Sequence, residues 1–231
     1  MSFAGKTVLV TGAGGALGGA VVAGFRAGGA NIVALGRGRE QLIAALGDEE
    51  AGVLYVAVDL RDAAQVASAA AAGVQSFGRI DVLVNCAGGF SMGTPVHATP
   101  NEAWEQMLDV NFRSMLNAVR AVVPFMLDAG SGRIVSVASA SARQGLANMG
   151  AYCVSKDAVI RATEAMSAEL RGKGINVNCV LPGTIYTPQN RADMPDADRS
   201  RWVPPEALAD VILFLSGEGA RAIHGAAIPC V

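Results

Sequence analysis

Short apolar runs rich in β-branched residues alternate with longer, Ala-rich stretches of helical spacing, and this alternation constrains the fold more than any other feature. Strands are predicted at Thr7–Val10, Asn31–Leu35, Val53–Val58, Val82–Val84, Arg133–Val137, Asn176–Val180 and Ala227–Pro229. Helices are predicted over 16–28, 39–46, 62–76, 101–128, 150–172 and 205–216. Apolar strands with little alternation, separated by helices, belong to a parallel sheet covered on both faces. The expected architecture is therefore a doubly wound α/β fold with a seven-stranded parallel sheet. Ligands of such sheets bind beyond the carboxyl ends of the strands, so the loops after each strand are where chemistry is expected.

Length and composition agree with one domain spanning 1–231. The chain has 231 residues, 52% of them apolar, and no composition break, linker or internal repeat. Its longest apolar stretch near the C-terminus is interrupted by Asp210, and Met1–Lys6 lacks the features of a secretory signal. A cytoplasmic protein without a membrane segment is the expectation. A net charge of −2 gives no reason to expect nucleic acid or anionic lipid as a partner. Cys86, Cys153, Cys179 and Cys230 are widely spaced and the two histidines stand apart from them, so free thiols and no metal site are expected.

Two loops read as a nucleotide site. Thr11-Gly-Ala-Gly-Gly-Ala-Leu-Gly18 follows the first strand and opens a helix, where Gly12, Gly14, Gly15 and Gly18 allow a tight turn and a close approach of N–H groups to a pyrophosphate. A strict GxGxxG is not met, because Leu17 stands where its last glycine is required. The second strand ends Leu35-Gly-Arg-Gly-Arg39, with no acidic residue to take the ribose 2′-hydroxyl of NAD. A guanidinium suits a 2′-phosphate by fork geometry and charge, so NADP(H) is favoured, with Arg37 as the best contact and NAD(H) as the alternative.

Tyr152 and Lys156 are four residues apart, and Ser139 lies thirteen before the tyrosine. On a helix this spacing places phenol and ammonium on one face, where the cation is expected to lower the phenol's proton affinity. Such a phenol serves as a general acid or base, with the serine hydroxyl aimed at the same substrate oxygen. The polar segment 184–203, with two prolines and no sustained period, is expected to be a loop forming a lid over substrate.

These residues together resemble the short-chain dehydrogenase/reductase family along essentially the whole chain. Thr11-Gly12 to Gly18 resembles its TGxxxGxG turn, Asn85-Cys-Ala-Gly88 its NNAG motif, and Ser139 with Tyr152-x-x-x-Lys156 its catalytic serine and YxxxK pair. Asn111 matches the helix asparagine that completes a tetrad, and Pro182-Gly183 followed by Thr187 resembles the segment that holds the nicotinamide. The resemblance implies a Rossmann-type fold and hydride transfer between NAD(P) and a carbonyl/alcohol substrate. It assigns catalytic roles to Asn111, Ser139, Tyr152 and Lys156. Cofactor contacts are implied for Gly12, Gly14, Gly15, Leu17, Gly18, Arg37, Asp59, Leu60, Asn85, Ala87, Gly88, Pro182, Gly183, Ile185 and Thr187, besides Tyr152 and Lys156. It further implies that Lys156 holds the nicotinamide ribose, that Asn111 holds a water linking Lys156 to solvent, and that the protein is a homodimer or homotetramer.

Two positions depart from the pattern: Ala16 replaces the middle glycine of the turn, expected to add a methyl where helix and strand pack closely, and Cys86 replaces the second asparagine. The tail Thr187–Arg191, Met194–Asp198 and Trp202–Pro205 is similar to that of quinonoid dihydropteridine reductases, although those enzymes lack the serine and carry an acidic residue at the end of the second strand. Two alternatives to a carbonyl reductase stay open: a dihydropteridine-type reductase, and an NADP(H)-sensing regulator without turnover.

Overall fold

The computed structural model describes residues 1–231. Seven strands, β1 (Thr7–Thr11), β2 (Asn31–Gly36), β3 (Val53–Ala57), β4 (Val82–Asn85), β5 (Gly132–Val137), β6 (Ile175–Pro182) and β7 (Ala227–Cys230), form one sheet in the order β3-β2-β1-β4-β5-β6-β7. Every pairing is parallel. The chain reverses its direction of winding between β1 and β4, and that switch point opens the crevice in which this fold class binds ligands.

The near-continuous apolar strands explain both covering layers. Val8 and Val10 of β1 and Val135 and Val137 of β5 point into one core, shared with α1 (Ala16–Ala27), α2 (Arg39–Leu46) and α8 (Pro205–Ser216). Leu9 and Ile134, one residue out of step, point into the other, shared with α3 (Ala63–Phe77), α5 (Ser114–Asp128) and α6 (Gly150–Leu170). Both faces of each strand are thus buried, which is why the period-2 alternation of a half-exposed strand is missing from the sequence.

Local signals place the helix ends. Asp62 accepts from the N–H groups of Ala64 and Gln65 and starts α3, and Gly78 in the left-handed region (φ 81°) ends it. Two expectations need correction. The predicted helix 101–128 is broken into α4 (Asn101–Leu108) and α5 by a π-helical turn at Asp109–Arg113. The segment 184–203 is not all loop: Thr187 caps a short helix, α7 (Pro188–Asp193), by accepting from Asn190 N–H at 3.1 Å. The ends of that segment are pinned together by a bridge between Ile185 and Val203. The four cysteines are unpaired, and no helix is long and apolar enough to cross a membrane.

Candidate active site

The glycine turn is built by steric exclusion. Gly12 has φ +66°, and a methyl at Gly18 would stand 2.2 Å from Gly12 O, so helix and turn meet backbone to backbone. Ala16, expected at that crowded place, lies instead on the exposed first turn of α1, so its methyl costs nothing in packing. Leu17 is buried in the core and can offer a ligand only its N–H. Helix α1 starts at Gly15 without a side-chain cap, and the N–H groups of Gly14, Ala16, Leu17 and Gly18 have no acceptor in the protein. Four free donors at the positive end of a helix fit a pyrophosphate.

The arginines after β2 have different fates. Arg39 is taken up by Glu49 and by Tyr55 O at 3.3 Å. Arg37 is exposed and makes no hydrogen bond or ion pair, leaving its fork open beside the nucleotide crevice. Asp59 is engaged with Arg61 through both oxygens, and those hydrogen bonds hold its carboxyl at about 2. The carbonyl of Leu60 accepts from Asn117 Nδ2 on α5 at 3.0 Å. Ala87 N–H is tied to Thr11 Oγ1 at 3.2 Å, which seats the 85–88 segment against the glycine turn. Asn85 is buried, giving one amide proton to Ser136 Oγ at 3.1 Å.

Ser139, Tyr152, Lys156 and Asn111 converge beyond the ends of β4 and β5. Ser139 Oγ accepts from Ser141 N–H at 3.2 Å, and its own proton is directed to the Tyr152 phenol oxygen or to a substrate oxygen in its place. Lys156 is 5% exposed and donates to Val137 O at 2.9 Å. Burial lowers its pKa to about 8, against the nearby Cys86, which acts in the opposite sense. The Cys86 thiol is itself pushed up to about 12 by burial, opposed by Lys156. A methyl on Gly88 would stand 2.8 Å from Asn111 Oδ1 and 3.0 Å from Lys156 Nζ, which puts both side chains at the same short stretch of backbone. The Asn111 amide brackets Gly89, accepting from its N–H at 2.9 Å and donating to its carbonyl at 3.0 Å, and gives its other proton to Ser155 Oγ at 3.0 Å.

One expectation about this cluster is overturned. The Tyr152 phenol is not lowered but raised above the ordinary phenol value, because burial disfavours the phenolate; Ser139, as its hydrogen-bonding partner, draws it down in part. The ammonium does not offset that burial. Lys156 lies one turn from Tyr152 on α6, but its Nζ is spent on Val137 O and aims at Gly88.

On the far side of β6, Gly183 N–H donates to Cys230 O at 2.9 Å, which fixes the Pro182-Gly183 corner against β7. Ile185 O receives both Thr187 N–H at 2.9 Å and Asn190 Nδ2 at 2.8 Å. Beyond it, Tyr186 meets Trp202 edge-on at 6.0 Å, with Arg191 over the Tyr186 ring at 5.3 Å and Arg199 over Trp202 at 5.7 Å. Sequence reasoning missed a second aromatic contact. Phe90 stands edge-to-face against Tyr152, ring centroids 4.9 Å apart and planes at 78°. The only signal for it was its place just after Gly88-Gly89.

A switch-point crevice with free N–H donors, beside a Ser–Tyr–Lys cluster, defines a nucleotide-dependent oxidoreductase fold. Residues 6–198 match the family model described as short chain dehydrogenase. The chain is similar to 2-(R)-hydroxypropyl-CoM dehydrogenase of Xanthobacter autotrophicus, with 37% identity covering 96% of each chain. It is also similar to D-threitol dehydrogenase of Mycolicibacterium smegmatis, with 35% identity over 96% of this chain and 90% of that one. Among solved structures, ElxO with NADP bound superposes with a TM-score of 0.90 at 25% identity, over 97% of this chain and 96% of that one. The protein belongs to the short-chain dehydrogenase/reductase family and acts on the alcohol/carbonyl pair. The likeness of the tail to dihydropteridine reductases carries no part of this assignment.

Proposed function

We propose that the protein is an NADP(H)-dependent carbonyl reductase or alcohol dehydrogenase in which Tyr152 is the acid/base. The observation that carries this reading is the convergence of Ser139, Tyr152, Lys156 and Asn111 beside a crevice whose free N–H groups and unpaired Arg37 suit a phosphorylated dinucleotide. Gly12, Gly14, Gly15, Leu17 and Gly18 would hold the pyrophosphate. Arg37 would hold the 2′-phosphate. Asp59 and Leu60, the 85–88 segment, and Pro182, Gly183, Ile185 and Thr187 would line the rest of the nucleotide. Bound there, the nicotinamide supplies the hydride or accepts it.

The remaining chemistry falls to the side chains. Tyr152, kept protonated at neutral pH by burial, gives its proton to the substrate oxygen as that oxygen gains negative charge. Ser139, oriented by the Ser141 N–H that it accepts, donates its proton to the same oxygen. Lys156, its pKa lowered to about 8 by burial, would hold the ribose hydroxyls and feed the relay that restores the phenol's proton. Both amide protons of Asn111 are spent, so a water linking Lys156 to solvent would bind the second lone pair of its Oδ1, beside Gly88. A raised phenol favours the reduction direction at neutral pH, and alcohol oxidation should gain only as the pH climbs beyond the ordinary phenol range.

The decisive measurement is a rate panel of ketones and quinonoid dihydropterin, each with NADPH and NADH. Ketone reduction with NADPH preferred is the expected result. Turnover of the dihydropterin alone would replace the reading by a pteridine reductase, and tight NADPH binding with no turnover by a nucleotide sensor. The proposal includes a cytoplasmic homodimer or homotetramer, supported by the exposed apolar Leu127 on α5 and Val154 on α6. Light scattering on a sizing column would test the assembly.

A further inference from the structure

Five of the ten large apolar side chains left exposed lie on two segments that follow strands at the carboxyl end of the sheet: Phe90, Met92 and Val96 after β4, and Tyr186 and Met194 after β6. Phe90 is the one that touches the phenol, yet 58% of it stays open to solvent. Leaving such a ring uncovered forfeits the free energy of burying it, and a cluster of such residues marks a binding surface.

Its position is not accidental slack. Asn111 clamps the preceding residue, Gly89, by N–H and carbonyl together, and Gly93 N–H donates to Asn148 O at 2.9 Å on the loop that leads from Ser139 to Tyr152. Asn148 itself sits at φ 61°, a left-handed conformation that asparagine tolerates. Phe90 is thus held between two anchored points, one of them the side chain beside Lys156. The wall it belongs to has no formal charge: from Asn85 to Pro100 there is no Asp, Glu, Lys or Arg. A charged substituent would find no counter-charge from Asp, Glu, Lys or Arg there, whereas an apolar one would cover Phe90 and gain its burial.

Building on the carbonyl-reductase reading, we infer that Phe90 is a specificity-determining residue. The site takes a carbonyl whose carbon bears an apolar, preferably planar, substituent that lies on the open part of the Phe90 ring while its oxygen reaches Tyr152 and Ser139. The edge-to-face contact with Tyr152 keeps the open part of the Phe90 ring next to the phenol. Phe90 therefore selects by what the carbonyl carries, and Tyr152 acts on the carbonyl itself.

The test uses acetophenone and dihydroxyacetone as a matched pair of ketones, with wild type, Phe90→Ala and Phe90→Leu. Each is followed by initial rates with NADPH and by calorimetric binding to the NADP⁺-loaded protein, in which a ketone cannot react; the NADPH affinity of each variant reports folding. Wild type should favour acetophenone in kcat/KM. Phe90→Ala should reduce the acetophenone-to-dihydroxyacetone ratio by about tenfold or more, chiefly through KM, as expected for loss of a buried aromatic contact. Phe90→Leu, which keeps apolar volume, should hold that ratio within about threefold. A parallel fall of both ketones would make Phe90 a mere support for Tyr152 and overturn the inference, as would a wild type that prefers dihydroxyacetone or binds neither. Dissociation of the oligomer in Phe90→Ala with an unchanged ratio would assign the ring to a subunit contact instead. Phe90-dependent binding of acetophenone without turnover of any ketone would keep the apolar subsite and overturn the reductase reading alone.

Discussion

The coenzyme half and the substrate half of the crevice are built on opposite principles. Around β1, α1 and β2 the site is made of absences: no Cβ at Gly18, no cap on α1, no partner for Arg37. Around β4, β5 and the segment after β6 it is made of side chains, with Phe90, Tyr152, Tyr186 and Trp202 in ring contacts and Asn111 and Lys156 buried at its floor. The first half binds a ligand whose shape does not vary, so backbone donors suffice. The second must discriminate, and discrimination needs side chains that differ from protein to protein.

Several changes should break or sharpen this contrast. Tyr152→Phe in the substrate half should cost about 10³-fold in kcat, in the range of lost general acid catalysis, with NADPH affinity held within about threefold. Stopped-flow rates beside fluorescence titration of NADPH would check it. Gly18→Ala in the coenzyme half should instead destabilise the fold itself by ~3 kcal/mol or more, because the clash is with backbone that cannot yield; urea unfolding reads it directly. Arg37→Ala should weaken NADPH by about 10- to 100-fold, the worth of a charged hydrogen-bonded contact, and NADH by less than about threefold. Equal losses would remove the 2′-phosphate from the picture.

A fourth change is by pH. Lys156 has its folded pKa depressed to about 8, below that of an unfolded lysine, so between these values the unfolded chain binds the extra proton. Stability should therefore rise with pH across this window, and the Lys156 contribution from pH 7.5 to 9.5 should be on the order of 2 kcal/mol. Urea unfolding of wild type against Lys156→Met, each at both pH values without coenzyme, isolates it; equal slopes would mean the ammonium is not desolvated as placed. Smallest of all, Gly14→Ala should shift the melting temperature by less than about 2 °C. Its added methyl would meet Gln41 O and Leu42 at 3.7 Å, ordinary contact distances, in contrast to Gly18.

The contrast also governs what could be read from residues alone. Strand and helix positions followed from apolar runs, because burial on both faces leaves a strong mark in composition. The glycine turn, the serine and the Tyr–Lys pair were legible because their chemistry demands particular residue types at particular spacings. The break at Asp109–Arg113 was not, since a π turn uses the same helix-forming residues as the helix around it. Nor was the direction of the Tyr152 shift, which is set first by burial of the phenol, a property that spacing along the helix does not show. The Phe90 contact joins residues far apart in sequence, and neither carries a spacing signal for the other. Ala16 was misplaced because the family pattern marks which position differs without saying which position is crowded.

The π turn has a consequence for how the two halves communicate. A helix advances about 100° per residue, so the wider turn at Asp109–Arg113 changes the phase of everything after it. Helix α4 faces α6, which carries Tyr152 and Lys156; α5, now rotated, faces α3 and reaches back through Asn117 to the carbonyls of Leu60 and Arg61 after β3. One stretch of chain thus serves two clients that a straight helix could not address from a single side, and Asn111 sits at the joint. Removing one residue there would restore a straight rod, but it would turn one partner away from its post.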